Sequence, residues 1–103
     1  MAFVRLTLVT PKPRQADRVE ALLTSLAEAH QASDGAITAY RLKPDTHVTS
    51  GRHGMVSIWE TEEHANRTVS DLHDLALHAE LKLVAEDSDH EEFSFEGIEA
   101  AAN

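Results

Sequence analysis

The fold is decided by a stretch that reads Met55-Val56-Ser57-Ile58-Trp59-Glu60-Thr61-Glu62-Glu63-His64-Ala65. Its first half is largely apolar and predicts a strand from Met55 to Glu60. Thr61 is suited to capping the N-terminus of a helix, and acidic residues follow at Glu62 and Glu63, near the positive end of the helix dipole. The stretch therefore predicts a strand that passes directly into a short helix ending near Val69.

Two further segments upstream have clear periodicity. Ala2 to Val9 alternates, and one of its faces is purely apolar (Val4, Leu6 and Leu8). A helix is predicted from about Arg14, where apolar residues recur at i, i+3, i+4 and i+7 (Val19, Leu22, Leu23 and Leu26). Asp34-Gly35 ends this helix, and a second strand follows over 37–42.

The C-terminal third predicts a helix and a strand. A helix begins near Leu72, after a cap at Ser70 or Asp71, and has apolar residues on two sides, which predicts more than one covering neighbour. Residues 86–92 form an acidic loop, and Phe93 and Phe95 belong to a last strand. The polar connection 44–54 is predicted to be hairpin-like, and residues 100–103 to be a frayed tail.

The predicted order is β-α-β-β-α-α-β in a single domain spanning residues 1–103. This order favours the α+β class, with a ferredoxin-like antiparallel sheet that has helices on one face. The other face then lacks a helical cover, although its strands are too apolar to face water. A second copy of the sheet is the natural cover, and we therefore expect a homodimer.

The charge balance excludes several classes of partner. Nine Lys and Arg against 18 Asp and Glu give a net charge of −9, which argues against nucleic acid and against an anionic membrane surface. The sequence contains no apolar run near the ~20 residues needed to span a bilayer, and its start does not resemble a secretory signal. Cytoplasmic localisation is the expectation. With no cysteine, disulfides and thiolate metal ligands are excluded.

Three segments carry a resemblance to a known family: the opening strand over 3–9, the glycine-led strand Asp34 to Leu42, and Ser57 to Glu63 followed by Leu72-His73. In this order and spacing, the chain resembles the antibiotic biosynthesis monooxygenases. The resemblance covers about residues 2 to 97. It implies a dimeric α/β barrel in which each protomer has a pocket between its sheet and its helices.

The resemblance also implies a choice of chemistry. Some members oxidise polycyclic aromatic substrates with O₂ and no cofactor, others degrade heme, and others have no established reaction. The heme-degrading branch uses an Asn, a second Trp and a His, and these positions fall on Val4, Thr68 and His78. Because two of the three differ, heme cleavage of that type is not expected, and we expect no cofactor.

Five residues are the candidate site. Trp59 is predicted to bind a flat substrate, with a plain core role as the alternative. His73 and Tyr40 are the catalytic candidates, since a histidine titrates near neutral pH. For His73 the alternative is a boundary residue bonded to a backbone carbonyl. Arg5 and Asn66 are predicted to bind substrate, although an ion pair of Arg5 with Glu96 is the simpler interpretation.

No metal site is predicted, although the chain has seven histidines. His73 and His78 are five residues apart and so do not form the i, i+4 pair of a helical metal motif. His78 is predicted to be a solvated partner of Asp74. His47 and His53 have few other ligands nearby, and the acidic loop 86–92 lacks the pattern of a calcium loop.

The function expected from these observations is cofactor-independent oxygenation of a small aromatic or quinol-like molecule. The alternative is a non-enzymatic dimer of the same fold that binds a small molecule or responds to stress. A cavity with several polar groups near Trp59 would favour the enzyme, and a packed core would favour the alternative.

Overall fold

The computed structural model describes residues 1–45 and 51–100. Its elements are β1 (Ala2–Val9), α1 (Ala16–Gln31), β2 (Ala36–Leu42), β3 (His53–Trp59), α2 (Glu62–Val69), α3 (Leu72–Val84) and β4 (Glu91–Gly97). The predicted order is confirmed, with small shifts at the ends. Part of the predicted connection 44–54 and most of the tail 100–103 lie outside the described residues. None of the helices in these ranges is long and apolar enough to cross a membrane.

The four strands form one antiparallel sheet in the order β2-β3-β1-β4. The two central strands pair along their whole lengths, with Phe3 opposite Trp59 at one end and Val9 opposite His53 at the other. The helices pack on one face of this sheet. The α+β class and the ferredoxin-like arrangement predicted from the sequence are therefore confirmed.

The inner face of the sheet, which the helices cover, carries the core. Its main cluster joins sheet residues such as Val9 and Met55 to the apolar stripe of α1 and to Leu81 of α3. A second cluster contains Phe3, Trp59 and Ala65. Phe3 is buried because it shares a face of β1 with Arg5, Thr7 and Val9, and this mixed face is the one that meets the helices.

The outer face of the sheet has no cover from the described part of this chain. It consists of Val4, Leu6 and Leu8 of β1, Val56 and Ile58 of β3, Thr38, Tyr40 and Leu42 of β2, and Phe93 and Phe95 of β4. Tyr40 is 58% exposed and Phe95 is 50% exposed. The rings of Phe93 and Phe95 stack with centroids 6.1 Å apart. The uncovered face is therefore apolar over most of its area.

The start of α2 is fixed by a turn and a cap. Gly35 has a φ of +79°, and a Cβ atom at this position would come within 2.1 Å of Cγ of His64. Its carbonyl accepts a hydrogen bond of 2.8 Å from the backbone N–H of Glu60. Thr61 is the predicted N-cap, and its hydroxyl accepts a hydrogen bond from the backbone N–H of His64. Glycine is therefore required where α1 turns into β2 against α2.

The described residues cover only one side of helix α3. Asp71 caps its N-terminus, as one of the two predicted caps, and Leu81 is fully buried. The other predicted stripe stays exposed, with Leu72, Leu75 and Leu83 each half exposed or more. Within the described residues, α3 therefore packs mainly against α1 and makes a smaller contact with α2, and its second apolar side stays uncovered.

Candidate active site

A cavity of about 290 Å³ lies between the inner face of the sheet and α3. Its apolar wall includes Met55, Val69 and Leu75. Its polar groups include Arg5, Thr7, His30, Ser57, His78 and Lys82. An apolar cavity with a few converging polar groups is the usual form of a small-molecule site.

A buried carboxylate joins two histidines at the wall of this cavity. Nε2 of His30, on α1, lies 2.6 Å from Oδ1 of Asp74 on α3, and both side chains are almost fully buried. Nε2 of His78 lies 3.2 Å from Oδ2 of the same carboxylate. The second contact is in ion-pair range without hydrogen-bond alignment, so Asp74 holds His78 less tightly than it holds His30.

The pKa values of this cluster are shifted in opposite directions. Burial raises the pKa of Asp74, but the hydrogen bond with His30 and the close contact with His78 outweigh it and lower the value from 3.8 to about 2. The contact with the Asp74 carboxylate raises the pKa of His78 above 6.5, and burial opposes this only in part. Asp74 is therefore ionised, and His78 is a stronger base than a free histidine.

The arrangement can hold a base in a fixed tautomer. Because Asp74 occupies Nε2 of His78, Nδ1 is the ring nitrogen left to accept a proton from a ligand in the cavity. A buried carboxylate that orients a histidine is the same device that enzymes use to prepare a general base. His30 holds the other oxygen of Asp74, and its ring packs on Trp59 with centroids 5.5 Å apart.

The same three residues have the chemistry of a metal site, and their spacing tests it. The available ligand atoms of His30, Asp74 and His78 lie within 4.8 Å of one another. Metal bonds of about 2.0–2.2 Å keep two ligand atoms of one ion about 2.9 Å or more apart. The 2.6 Å between His30 and Asp74 is shorter than that and fits a direct hydrogen bond. The geometry therefore favours a proton between these groups over an ion.

Other histidines considered from the sequence lie elsewhere. His47 lies outside the described residues. His53 is buried, with Nδ1 3.7 Å from a carboxylate oxygen of Glu20. The positions compared with the heme-degrading branch do not converge, because Val4 is on the outer face of the sheet while His78 is at the cavity on the inner side.

The residues predicted to bind substrate lie close to the cavity. Arg5 lines it and donates a hydrogen bond to the side-chain oxygen of Asn66 on α2. Arg5 therefore pairs with Asn66 rather than with Glu96, which is opposite Phe3. Trp59 is 1% exposed, and its Nε1–H donates to the Ser57 hydroxyl at 2.9 Å. Trp59 therefore contacts His30 and Ser57, two residues that line the cavity, and holds them in place.

The two residues predicted to be catalytic lie away from the cavity. His73 is exposed and lines a separate polar groove with Asp34, His64 and Arg67. Tyr40 is exposed on the outer face of the sheet. Asp74 lines the same groove as His73. Among the described residues, however, no hydrogen bond or ion pair joins His73 or Tyr40 to His30, Asp74 or His78, and the catalytic roles of His73 and Tyr40 stay predictions.

The sequence contained a signal for His30 and Asp74 that the prediction did not use. His30 continues the apolar stripe of α1 one turn beyond Leu26, so a histidine stands where a core residue belongs. Asp74 and His78 were recognised as an i, i+4 pair. They were placed at the surface because Asp71 and Lys82 share their side of the helix.

Comparison with known proteins gives a result for structure and none for sequence. No protein-family model and no curated protein sequence matches the chain. Rv0793 from Mycobacterium tuberculosis superposes with a TM-score of 0.83 at 13% identity, over 99% of this chain and 100% of that chain. At this level of identity, the likeness concerns the fold.

Two further solved structures connect the fold to a family. A variant of SnoaB, a cofactor-independent oxygenase from Streptomyces nogalater, has a TM-score of 0.79 at 12% identity, covering 99% of this chain and 98% of that chain. The "putative antibiotic biosynthesis monooxygenase" from Nitrosomonas europaea has a TM-score of 0.81 at 11% identity, covering 94% and 99%. The chain therefore has the fold of the antibiotic biosynthesis monooxygenases, in agreement with the resemblance in its sequence.

Proposed function

We propose that this protein is a cofactor-independent monooxygenase that oxidises a small aromatic or quinol-like substrate in the cavity between its sheet and α3. The observation that carries the proposal is the His30–Asp74–His78 cluster at the wall of that cavity. The fold shared with SnoaB, a cofactor-independent oxygenase, supports it. The cavity has several polar groups, and two of the residues that line it, His30 and Ser57, contact Trp59, which does not line the cavity itself.

His78 is the proposed general base. An acidic hydroxyl or activated C–H of the substrate gives its proton to Nδ1 of His78, and the ionised Asp74 stabilises the resulting imidazolium. The deprotonated substrate then supplies electrons to O₂. The carbon that loses its hydrogens becomes a carbonyl that keeps one oxygen atom, and the other leaves as water. All four electrons taken up by O₂ come from the substrate.

The other residues of the site hold this arrangement in place. His30 fixes the far oxygen of Asp74. Ser57 and Thr7 supply buried hydroxyls on the sheet side of the cavity. Trp59 acts mainly by packing. Arg5 is the residue of the cavity wall predicted to bind substrate, and the exposed Asn66 holds its guanidinium through a hydrogen bond. The apolar wall excludes water from the reactive intermediate.

The proposal includes a homodimer of single-domain protomers in which the outer faces of two sheets meet. The support is the composition of that face, where Tyr40, Phe93 and Phe95 are exposed in the single chain. A pairing of this kind is expected to bury on the order of 2,000 Å² or more in total. Sedimentation at micromolar concentration measures it directly, and a monomer there would contradict this part of the proposal.

The test is oxygen uptake by the purified protein with anthrone- and quinol-like substrates, with product identified by mass spectrometry after reaction under ¹⁸O₂. One labelled oxygen atom per product is expected, and a chelator should leave the rate unchanged. His78→Gln should lower turnover about 10²- to 10⁴-fold, since it removes the base.

A matched control comes from the same helix. His73→Gln makes the same chemical change at a residue outside the cavity and should leave turnover within about twofold. Equal losses of turnover in the two variants, or a loss in His73→Gln alone, would show that His78 is not the general base. Ligand binding with no oxygen uptake across the panel would favour the alternative, a small-molecule-binding protein of this fold.

A further inference from the structure

We propose that the substrate carries a carboxylate, which binds in the cavity between Arg5 and Lys82 while its aromatic ring rests on the apolar wall. The inference rests on the proposed function for its chemistry, and it adds the class of substrate: a hydroxylated aromatic acid. It follows from how the cations of the cavity are paired, beginning with Arg5.

Arg5 is a cation on the covered face of a sheet with no carboxylate partner. The residues directly opposite it on the two neighbouring strands are both serines, Ser57 and Ser94. Its Nη2 donates to the neutral oxygen of Asn66, and its buried Nε–H has no hydrogen-bond partner. Within residues 1–45 and 51–100, no Asp or Glu oxygen lies within 4.0 Å of its guanidinium. A partly buried guanidinium of this kind gains most from an anion.

Lys82 supplies the second cation from the opposite side of the cavity. It follows His78 by one helical turn of α3, and both residues line the cavity. Among the described residues, no carboxylate lies within 4.0 Å of its ammonium group. Arg5 on the sheet and Lys82 on the helix therefore face one space from two layers of the fold.

One carboxylate, that of Glu92, also lines the cavity, and its charge contributes to the raised pKa of His78. Glu92 lies on β4 opposite Thr7, with a side chain that is 60% exposed and 3.8 Å from Nε2 of His90. The two oxygens of Asp74 face the ring nitrogens of His30 and His78, so neither oxygen is presented directly to an anion in the cavity. In a chain of net charge −9, this cavity brings together the half-buried Arg5 and the exposed Lys82, neither of which has a carboxylate of the described residues within 4.0 Å.

The anion site also places the reacting group. His78 lines the same cavity as both cations and lies one helical turn before Lys82 on α3, whereas Arg5 is on the sheet. A carboxylate held by the cations would leave a hydroxyl elsewhere on the ring near the base. Binding the substrate at one end in this way places its reacting group next to the catalytic base, which lowers the entropic cost of reaching the transition state.

The first test compares an acid with its neutral analogue on the wild-type protein. Fluorescence titration with a hydroxynaphthoate and with the corresponding hydroxynaphthamide holds ring and hydroxyl constant and changes only the charge. The acid should bind at least about tenfold more tightly, as expected for charge-assisted hydrogen bonds. Equal affinities, or tighter binding of the amide, would overturn the proposal.

The second test removes the cations one at a time. Arg5→Met and Lys82→Met should each weaken binding of the acid about tenfold and leave the amide unchanged. Lys43→Met removes the same charge from an exposed position that does not line the cavity and should change neither ligand. An equal loss in Lys43→Met would show that net charge alone is responsible.

Two further arms keep the result decisive. If Arg5→Met does not fold by circular dichroism, Arg5→Lys together with Lys82→Met and the acid–amide comparison decides the question. Oxygen uptake separates this inference from the proposed function. Preference for the acid without uptake would support the anion site and contradict the oxygenase, whereas turnover of neutral quinols with no acid preference would do the opposite.

Discussion

In an isolated chain, the face of a sheet that is covered by helices is expected to be apolar and the uncovered face polar. In this protein the covered face carries several polar groups and the uncovered face is mostly apolar. The inner face, covered by helices, carries Arg5, Thr7 and Ser57 as well as the core. The outer face, which no described part of the chain covers, is apolar over most of its area and leaves Tyr40 and Phe95 half exposed. Covered polar groups indicate a binding site, and uncovered apolar groups indicate an association surface.

The first prediction places one charge on each face of the same strand. Phe95→Asp puts a carboxylate in the apolar outer face and should raise the dissociation constant of the homodimer about 100-fold or more, because the charge would be buried without a partner. Ser94→Asp makes the adjacent change on the inner face and should leave association intact. Sedimentation velocity over a range of concentrations measures both.

A monomeric protein would respond differently. Phe95 is half exposed in the single chain, so Phe95→Asp would then be harmless to stability and would change no sedimentation coefficient. That outcome would leave the outer face as an exposed apolar surface and remove the homodimer from the proposal.

The second prediction compares an aromatic residue from each face. Trp59→Phe leaves a cavity in the inner layer and removes the hydrogen bond to Ser57, and should lower the free energy of unfolding by about 2 kcal/mol. Tyr40→Phe on the outer face should change it by less than about 0.5 kcal/mol. Thermal melts without and with ligand decide whether Trp59 also binds substrate, since a binding role predicts a smaller ligand-induced shift in Trp59→Phe.

The third prediction concerns the pH dependence of stability on the inner side. The pKa of Asp74 is about 2 in the folded protein against 3.8 without these contacts, so its contribution is present above pH ~4 and is lost as the pH falls through 2. The size is about 2 kcal/mol. The raised pKa of His78 acts in the other direction, so its contribution is complete below pH 6.5 and is lost as the pH rises through its folded value.

Denaturant unfolding at pH 2, 4, 6 and 9 measures both effects. Asp74→Asn should flatten the acid limb of the curve, and His78→Gln should flatten the alkaline limb. Asp87→Asn, at an exposed position of the acidic loop, serves as the control and should keep the wild-type profile. An acid limb that survives in Asp74→Asn would place the titrating group elsewhere.

The fold was predictable because its signals are local. Alternation in β1, the i, i+3, i+4 stripe of α1 and the Thr61 cap each depend on a few neighbouring residues, and the structure has each element close to where it was predicted. The face of β1 that meets the helices was not predictable in the same way. Val4, Leu6 and Leu8 form the more apolar face of β1. The usual rule packs the more apolar face of a strand against the helices of its own chain, and this rule fails where that face is expected to pack against a second copy.

The candidate site was largely missed because it depends on contacts between distant segments. His30 and Asp74 are 44 residues apart in sequence and meet only when α1 packs beside α3. Asp74 and His78 were read as a surface pair from their polar neighbours on one helix. Arg5 and Asn66 were predicted as polar groups near the pocket. Their direct hydrogen bond was not predicted, because residue types alone do not show which side chains meet in the fold.

The strand order has a consequence for how the chain folds. β1 pairs with β3 on one side and with β4, the last strand, on the other, so most pairings of the sheet join distant parts of the sequence. Such long-range pairing slows folding compared with helical proteins of equal size. During synthesis, the first strand keeps an open edge until residue 97 has emerged, and Val4, Leu6 and Leu8 lie along that edge. The interval before β4 adds is therefore when the chain is most exposed to pairing with the wrong partner.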